Sequence, residues 1–193
     1  MKISPKQNIY FLKKLIAKCD IKDNKSNTPC SFYQLEDEDR DYFIKLVHKK
    51  GWRDYLYAML IDGDMRRKNV DKIYVLEDEK SDCLGYMKVD TNFEDANSIE
   101  FIEVKPDCRA NKSWGQKRYI GETMLNFLAQ LTKLTEKSFL SVPYPDRDAV
   151  GFYKKCYFTP KGQGRACMLT EDNMDKLKEQ NYTHTGSKIE FVD

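Results

Sequence analysis

Apolar residues near the start of the chain recur at the three- and four-residue spacing of an amphipathic helix. The positions that carry this pattern are Ile9, Leu12, Ile16 and Cys19. We expect the helix to begin near Pro5 and to end before Asp23 and Asn24, because proline suits a first helical turn and the polar pair favours a turn. The polar stretch from Lys22 to Pro29 then predicts a loop.

A second helical pattern extends from Tyr42 to Leu60 and is interrupted or bent at Gly51. The acidic run from Glu36 to Asp41 precedes it, and acidic side chains suit the positive end of a helix dipole. A binding site for a cationic substrate is the alternative interpretation of this run. Residues 62–64 predict a turn, with too few oxygen ligands for a calcium-binding loop.

From residue 73 onward the apolar positions follow the shorter period of β-strands. Two apolar segments, 73–76 and 83–89, flank polar residues 78–82 and predict a hairpin. Ile99–Val104 carries apolar residues on both faces, which predicts a strand in the centre of a sheet. A helix with one apolar face follows. The positions on that face are Ile120, Met124, Phe127, Leu128, Leu131 and Leu134.

The last third of the chain alternates short strand and helix patterns. Residues 139–142 predict a strand that ends at Pro143, and residues 147–155 predict a short helix. Two strands, a helix and an edge strand are expected after it, in this order: residues 157–159, 165–170, 172–180 and 188–192. Strands mixed with helices in this order predict one mixed α/β domain.

Composition and charge narrow the class of protein. Of 193 residues, 40% are hydrophobic and 12% aromatic, which is enough for a core and excludes wholesale disorder. A formal net charge of +2 argues against a surface dedicated to duplex nucleic acid. No apolar run approaches the roughly 18 residues of a membrane span. Six widely spaced cysteines, without a Cys-x-x-Cys pair or a signal-peptide pattern, favour reduced thiols in a cytoplasmic protein without structural zinc.

Two segments together resemble motifs of the GNAT superfamily of N-acetyltransferases. Ala149–Phe158 resembles the family signature A-x-x-F-Y-x-K-x-G-F, and Val104–Arg109 resembles the V-x-P-x-x-R that ends the family's fourth strand. In that family an R/Q-x-x-G-x-G/A loop holds the pyrophosphate of acetyl-CoA. The best match to this loop is Gln116–Gly121, in which Tyr119 stands where the first glycine usually does.

Two registers of the pyrophosphate loop compete. If Arg109 opens the loop, its last glycine position falls on Trp114; if Gln116 opens it, that position is Gly121. The second register is favoured because the apolar stripe of the following helix begins beside Gly121. A capping-box pattern that starts at Ser113 would instead begin the helix earlier.

The resemblance implies a twisted mixed sheet with flanking helices, splayed between its fourth and fifth strands to admit acetyl-CoA. It implies a single domain over 1–193, with a helical acceptor-side part at 1–70, an acetyl-CoA-binding core at 71–170 and an extension at 171–193. Backbone N–H groups at a helix N-terminus would meet the diphosphate. The implied cofactor-binding residues are Ile102, Val104, Gln116, Lys117, Arg118, Tyr119, Ile120, Gly121 and Glu122.

Acetyl transfer from a thioester to an amine needs a deprotonated amine, a stabilised oxyanion and a proton for the departing thiolate. Tyr153 occupies the family position whose phenol supplies that proton; the alternative is a core tyrosine that packs beside Phe152. Some family members use a glutamate base on the fifth strand, but the corresponding residue here is Ser141, which cannot do that work. Other members use a glutamate on the fourth strand, and the resemblance therefore implies Glu100 and Glu103 as the candidate bases.

The alternation of the fourth strand predicts that Glu100 shares a face with Ile102 and Val104, whereas Glu103 lies opposite. A carboxylate within an apolar central strand suits a general base. A water chain without a dedicated base is the alternative.

The predicted activity is direct transfer of the acetyl group from acetyl-CoA to a primary amine, without a metal, a membrane or a nucleic acid as partner. Aromatic residues of the N-terminal part should line the amine site: Tyr42, Trp52, Tyr55 and Tyr57. The rival functions are acetylation of a protein or aminoacyl-tRNA amine, and non-catalytic binding of an acyl-CoA, which Tyr119 and Ser141 keep open. The sequence does not decide whether the chain is a homodimer.

Overall fold

The computed structural model describes residues 13–22, 26–36, 43, 71–108, 119–162 and 166–192. In this part of the chain, nine strands form one mixed, open sheet that three α-helices flank, so the predicted fold class is confirmed. The strands are β1 (Lys13–Lys22), β2 (Asn27–Leu35), β3 (Asp71–Asp78), β4 (Cys83–Asp90), β5 (Ala96–Val104), β6 (Phe139–Val142), β7 (Thr159–Pro160), β8 (Cys167–Thr170) and β9 (Glu190–Phe191). The helices are α1 (Ile120–Leu134), α2 (Val150–Lys155) and α3 (Glu171–Thr185). The strand order is β7-β8-β6-β5-β4-β3-β2-β1-β9.

The first strand replaces the helix that was predicted from residue 5 to residue 22, and that prediction is wrong for its described part. In β1 every second residue (Ala17, Cys19 and Ile21) is buried, while the residues between them are charged. This period of two belongs to a strand with one buried face. The polar loop is also shorter than predicted, because β2 begins at Asn27.

The four strands from β2 to β5 form an antiparallel series, and β3 and β4 make the predicted hairpin. Most residues of β3 and β4 are buried, since both faces of this part of the sheet are covered. One face packs against α1. The other carries a smaller apolar cluster, formed by Leu35, Phe43, Ile73, Val75 and Tyr86. We call it the Phe43 face; among the residues of the second predicted helix, Phe43 is the one that the structure describes.

Helix α1 begins at Ile120, where the apolar stripe begins, and its predicted face is largely confirmed. Met124, Phe127 and Leu128 are fully buried, and the Phe127 ring stacks on Phe32 of β2 at 4.0 Å between centroids. Leu134 is 62% exposed and lies outside the core. None of the helices in the described part combines the length and apolarity that a membrane span requires.

The remaining elements follow the predicted order. Strand β6 and helix α2 lie where the patterns placed them, and β7 and β8 are shorter than predicted. Helix α3 is longer, because it continues to Thr185 before Gly186, whose φ of 71° ends it. Strand β9 lies at the edge of the sheet, as predicted, and its partner there is β1.

Candidate active site

The sheet opens between β5 and β6, the parallel pair of strands. These strands pair at three positions, the last of which joins Ser98 to Ser141. Beyond that point β5 continues to Val104 along β4, while β6 ends at Val142. From Ile99 onward, the side of β5 toward β6 has no partner strand among the described residues. The opening lies where the resemblance implies the acetyl-CoA cleft.

The N-terminus of α1 lies beside this opening. Tyr119 precedes the helix with φ at 61°, and its carbonyl accepts the first backbone hydrogen bond of the helix, from the N–H of Thr123 at 2.8 Å. The three preceding N–H groups, those of Ile120, Gly121 and Glu122, have no intrahelical acceptor, as at any helix start. Such groups and the helix dipole attract an anion.

Gly121 allows three elements to meet at this point. A Cβ atom built on Gly121 would lie 3.1 Å from Cζ of Phe152 in α2 and 3.5 Å from Cγ2 of Val104 in β5. The structure therefore brings Val104 and Gly121, two implied cofactor residues, together with the residue before Tyr153. Ile102 lies two positions earlier on the same face of β5 as Val104. Arg109, Trp114, Gln116, Lys117 and Arg118 lie outside the described residues.

Tyr153 is 4% exposed and lies on α2 between two aromatic rings. Its ring centroid is 5.4 Å from that of Phe152 and 5.4 Å from that of Phe158. Burial, with a smaller contribution from the negative charge of Asp146, raises the pKa of the Tyr153 phenol above its usual range. The phenol therefore carries its proton at neutral pH, as a proton donor must, but raising the pKa also makes it a weaker acid.

The predicted faces of the two candidate bases are corrected by a β-bulge. Lys88 pairs with Phe101 and the next residue of β4 pairs with Ile99, so Glu100 is the extra residue of β5. The carboxylate of Glu100 lies 3.1 Å from the Lys88 ammonium. Because Lys88 and Phe101 lie on the Phe43 face, Glu100 does not share the face of Ile102 and Val104, and that prediction is wrong. A period of two cannot reveal the bulge.

Glu103 is buried on the Phe43 face, opposite the face of Ile102 and Val104, as predicted. It pairs across the sheet with Tyr86, a member of the Phe43-face cluster. Both glutamates thus face the side of the sheet away from α1. Ser141 is half-buried on β6 and has Ser98 and Met168 as its neighbours across the sheet.

Lys88 is the centre of a buried charged cluster that the sequence analysis missed. Its ammonium lies 2.8 Å from Asp71, and carboxylate oxygens of Asp71, Asp90 and Glu100 lie within 4.8 Å of one another. Burial by itself lowers the pKa of Lys88, but hydrogen bonds and charge from Asp71 and Glu100 outweigh it, so the pKa lies above its usual value. The Lys88 ammonium therefore offsets part of the negative charge of these three carboxylates.

Two further features are a buried thiol on the C-terminal side of α2 and a contact between α3 and the residue before α1. Burial, together with the charge of Glu122, raises the pKa of the Cys156 thiol to about 12, so the thiol is protonated at neutral pH and unsuited to carry an acyl group. Helix α3 packs beside α1, and His184 of α3 stacks on Tyr119. A contact between residues this far apart in sequence leaves no periodic signal.

Solved structures of GNAT acetyltransferases resemble this chain. The dodecameric spermidine N-acetyltransferase of Vibrio cholerae superposes with a TM-score of 0.51 and 14% identity, over 74% of this chain and 94% of that one. AtaTR bound with acetyl-CoA superposes with a TM-score of 0.57 and 17% identity, over 77% of this chain and 97% of that one. A GNAT-family acetyltransferase of Staphylococcus aureus superposes with a TM-score of 0.51 and 13% identity, over 74% of this chain and 99% of that one. No family model matches the chain, and no curated protein matches it.

The fold of this chain is therefore that of the GNAT acetyltransferases, as the two sequence motifs predicted. At 13% to 17% identity these neighbours share the fold, and their substrates remain properties of those proteins.

Proposed function

We propose that the chain is an N-acetyltransferase that moves the acetyl group of acetyl-CoA directly to a primary amine. The observation that carries the proposal is the opening of the parallel β5–β6 pair after Ser98 and Ser141, with the N-terminus of α1 at its side. A thioester held in that opening would be reached from both faces of the sheet. The amine and the cofactor could then approach from opposite sides, as direct transfer requires.

In this proposal, the α1 side of the sheet binds acetyl-CoA. The segment of β5 at Ile102 and Val104 lies along the pantetheine arm. The N–H groups of Ile120, Gly121 and Glu122 meet the diphosphate. Gln116, Lys117 and Arg118 add a donor and positive charge from the segment before the helix. A glycine at position 121 fits this role, because a side chain there would fill the space before Phe152 and Val104.

The chemical roles remain those expected from the sequence. Tyr153 donates a proton to the departing thiolate, and Glu103 or Glu100 accepts a proton from the attacking amine on the Phe43 face. Glu103 suits the base better, because it is buried on that face, whereas Glu100 is engaged by the Lys88 ammonium.

The acceptor is proposed to be a small primary amine that binds on the Phe43 face. The acidic character of the buried cluster around Lys88 would favour a cation nearby. Spermidine, the substrate in the name of one structural neighbour, is a sensible member of an amine panel. Crosslinking of a photoreactive amine exclusively to residues beyond 160 would contradict this placement.

The test of the function is release of CoA thiol from acetyl-CoA in the presence of polyamines, aromatic amines, amino-sugar amines and lysine peptides. Calorimetry with acetyl-CoA is run first, so that binding and turnover are measured separately. Binding together with amine-dependent thiol release supports the proposal. Binding without release by any amine supports the second candidate, and absence of binding contradicts both.

The second candidate is a non-catalytic acyl-CoA-binding module. Two observations favour it: Tyr153 is almost fully buried between aromatic rings, and Glu100 is engaged by Lys88. A phenol and a carboxylate placed in this way would stabilise the fold without touching a substrate. The same assay with an unrelated acyl-CoA of similar size would show whether binding depends on the acetyl group.

A further inference from the structure

Two tyrosines near the opening adopt a backbone conformation that tyrosine disfavours. Tyr119, directly before α1, has φ at 61°, and Tyr157, the second residue after α2, has φ at 65°. In this left-handed region the Cβ atom of an ordinary residue crowds the neighbouring carbonyl oxygen, so glycine is the usual occupant. A residue held there against its preference needs support from its surroundings.

Helix α3 supplies that support to Tyr119. The imidazole of His184 stacks on the Tyr119 ring with 4.5 Å between centroids and 17° between planes. The His184 ring is itself fixed, because its Nδ1 lies 3.0 Å from both carboxylate oxygens of Glu122. The stack therefore links the residue before α1 to the first turn of the same helix.

The carboxylate of Glu122 has two further donors on α3. Gln180 donates to one oxygen at 2.9 Å and Asn181 donates to the other at 3.1 Å. A carboxylate 8% exposed at the start of α1 is thus surrounded by polar groups of the C-terminal helix. These groups on α3 satisfy the hydrogen-bonding needs of the buried carboxylate. The Glu122 side chain is therefore held toward α3 and leaves the start of α1 to a bound anion.

The second tyrosine is held by the same helix. Asn173 of α3 donates to the carbonyl oxygen of Tyr157 at 3.1 Å, and Gln180 donates to the carbonyl of Lys155 at 3.3 Å. The chain segments at Tyr119 and Tyr157 are therefore both anchored to α3, which forms the first part of the extension at 171–193.

We infer that helix α3 fixes the geometry of the N-terminus of α1, and that His184 and Glu122 are positioning residues which hold Tyr119 in its left-handed conformation. That conformation turns the chain so that the first N–H groups of α1 face the opening. This inference rests on the proposed function, because it assigns those N–H groups to the diphosphate of acetyl-CoA. Residues 171–193 would thus be part of the acetyl-CoA site without contacting the ligand.

The test is a double-mutant cycle that combines His184→Ala with Tyr119→Gly, since glycine adopts the left-handed conformation without a supporting stack. Calorimetry measures the affinity of all four proteins for acetyl-CoA. We expect His184→Ala to weaken binding about tenfold in the wild-type background and less than about twofold in the Tyr119→Gly background. Thr183→Ala is the matched control, because Thr183 is the exposed neighbour of His184 and its hydroxyl bonds within its own helix.

A merely structural role of His184 predicts a different result. His184→Ala would then weaken binding equally in both backgrounds, or in neither, and either outcome overturns the inference. Urea unfolding of the same four proteins gives a second readout that does not involve the ligand. If the wild-type protein fails to bind acetyl-CoA, the proposed function fails. A non-additive cycle in the unfolding free energies would still support α3 as the anchor of Tyr119, and an additive one would reject it.

Discussion

Replacing Gly121 by valine is the sharpest perturbation of the proposed cofactor site. The first atom of the new side chain would lie 3.1 Å from Cζ of Phe152 and 3.5 Å from Cγ2 of Val104. The first of these distances is short for two carbon atoms, so Phe152 or the helix must move by a few tenths of an ångström. The two γ-methyl groups of valine reach further and require a larger displacement of the first turn of α1.

The expected effect is mainly on acetyl-CoA binding. If the first turn of α1 retreats, its N–H groups no longer meet the diphosphate at hydrogen-bonding distance. We expect Gly121→Val to weaken binding at least about tenfold, which corresponds to about 1.4 kcal/mol. Overpacking should also lower the free energy of unfolding by about 1–3 kcal/mol, which leaves most domains folded.

The matched control is the same substitution at Gly151. This glycine lies in α2, and a Cβ atom built on it meets no atom of another element within 4 Å. Gly151→Val therefore introduces valine into a helix without crowding a second element. Calorimetry with acetyl-CoA and urea unfolding of both variants separate binding from stability. Unchanged affinity in a folded Gly121→Val protein would refute the reasoning and return the pyrophosphate loop to the register that Arg109 opens.

Three further substitutions test other parts of the account. Tyr153→Phe should lower kcat by about 10²- to 10⁴-fold in a thiol-release assay, with little change in KM for acetyl-CoA. A kcat within about threefold of wild type would remove the phenol from the mechanism. Lys88→Met should lower the free energy of unfolding by about 3–5 kcal/mol in urea, because it leaves buried Asp71 without its ammonium partner. A loss below about 1 kcal/mol would contradict the importance of that ion pair. Gly85→Ala should lower the free energy of unfolding by about 1–3 kcal/mol in thermal and urea melts. The new Cβ atom would overlap Sδ of Met124 and lie 2.9 Å from Cε of the same residue. A wild-type melting temperature would show that the methionine moves freely.

Elements were predicted correctly from the sequence where their apolar residues followed either the helical or the strand period, but not both. The stripe that begins at Ile120 could be read as a helix face because Met124 and Phe127 recur at helical spacing and are buried in α1. In β1, two patterns overlapped. Helical spacing from Ile9 to Cys19 concealed the alternation of Ala17, Cys19 and Ile21, and the alternation decided the fold because those three residues face α1 and α3.

The candidate site was predictable where motifs carried it and unpredictable where distant residues met. Val104 and Gly121 belong to recognisable motifs, and the structure brings them together. The bulge at Glu100 shifts the alternation of β5 without leaving a mark in the sequence. The stack of Tyr119 on His184 joins residues separated by about a third of the chain, and no local pattern reports such a contact.

The most direct test of the central claim is a crystal structure of the chain with acetyl-CoA. The account predicts density for the diphosphate at the N–H groups of Ile120, Gly121 and Glu122, and for the acetyl group between β5 and β6 beyond Ser98 and Ser141. The sulfur should lie near the Tyr153 hydroxyl. Acetyl-CoA bound elsewhere on the chain, with the β5–β6 opening filled by protein side chains, would contradict the account.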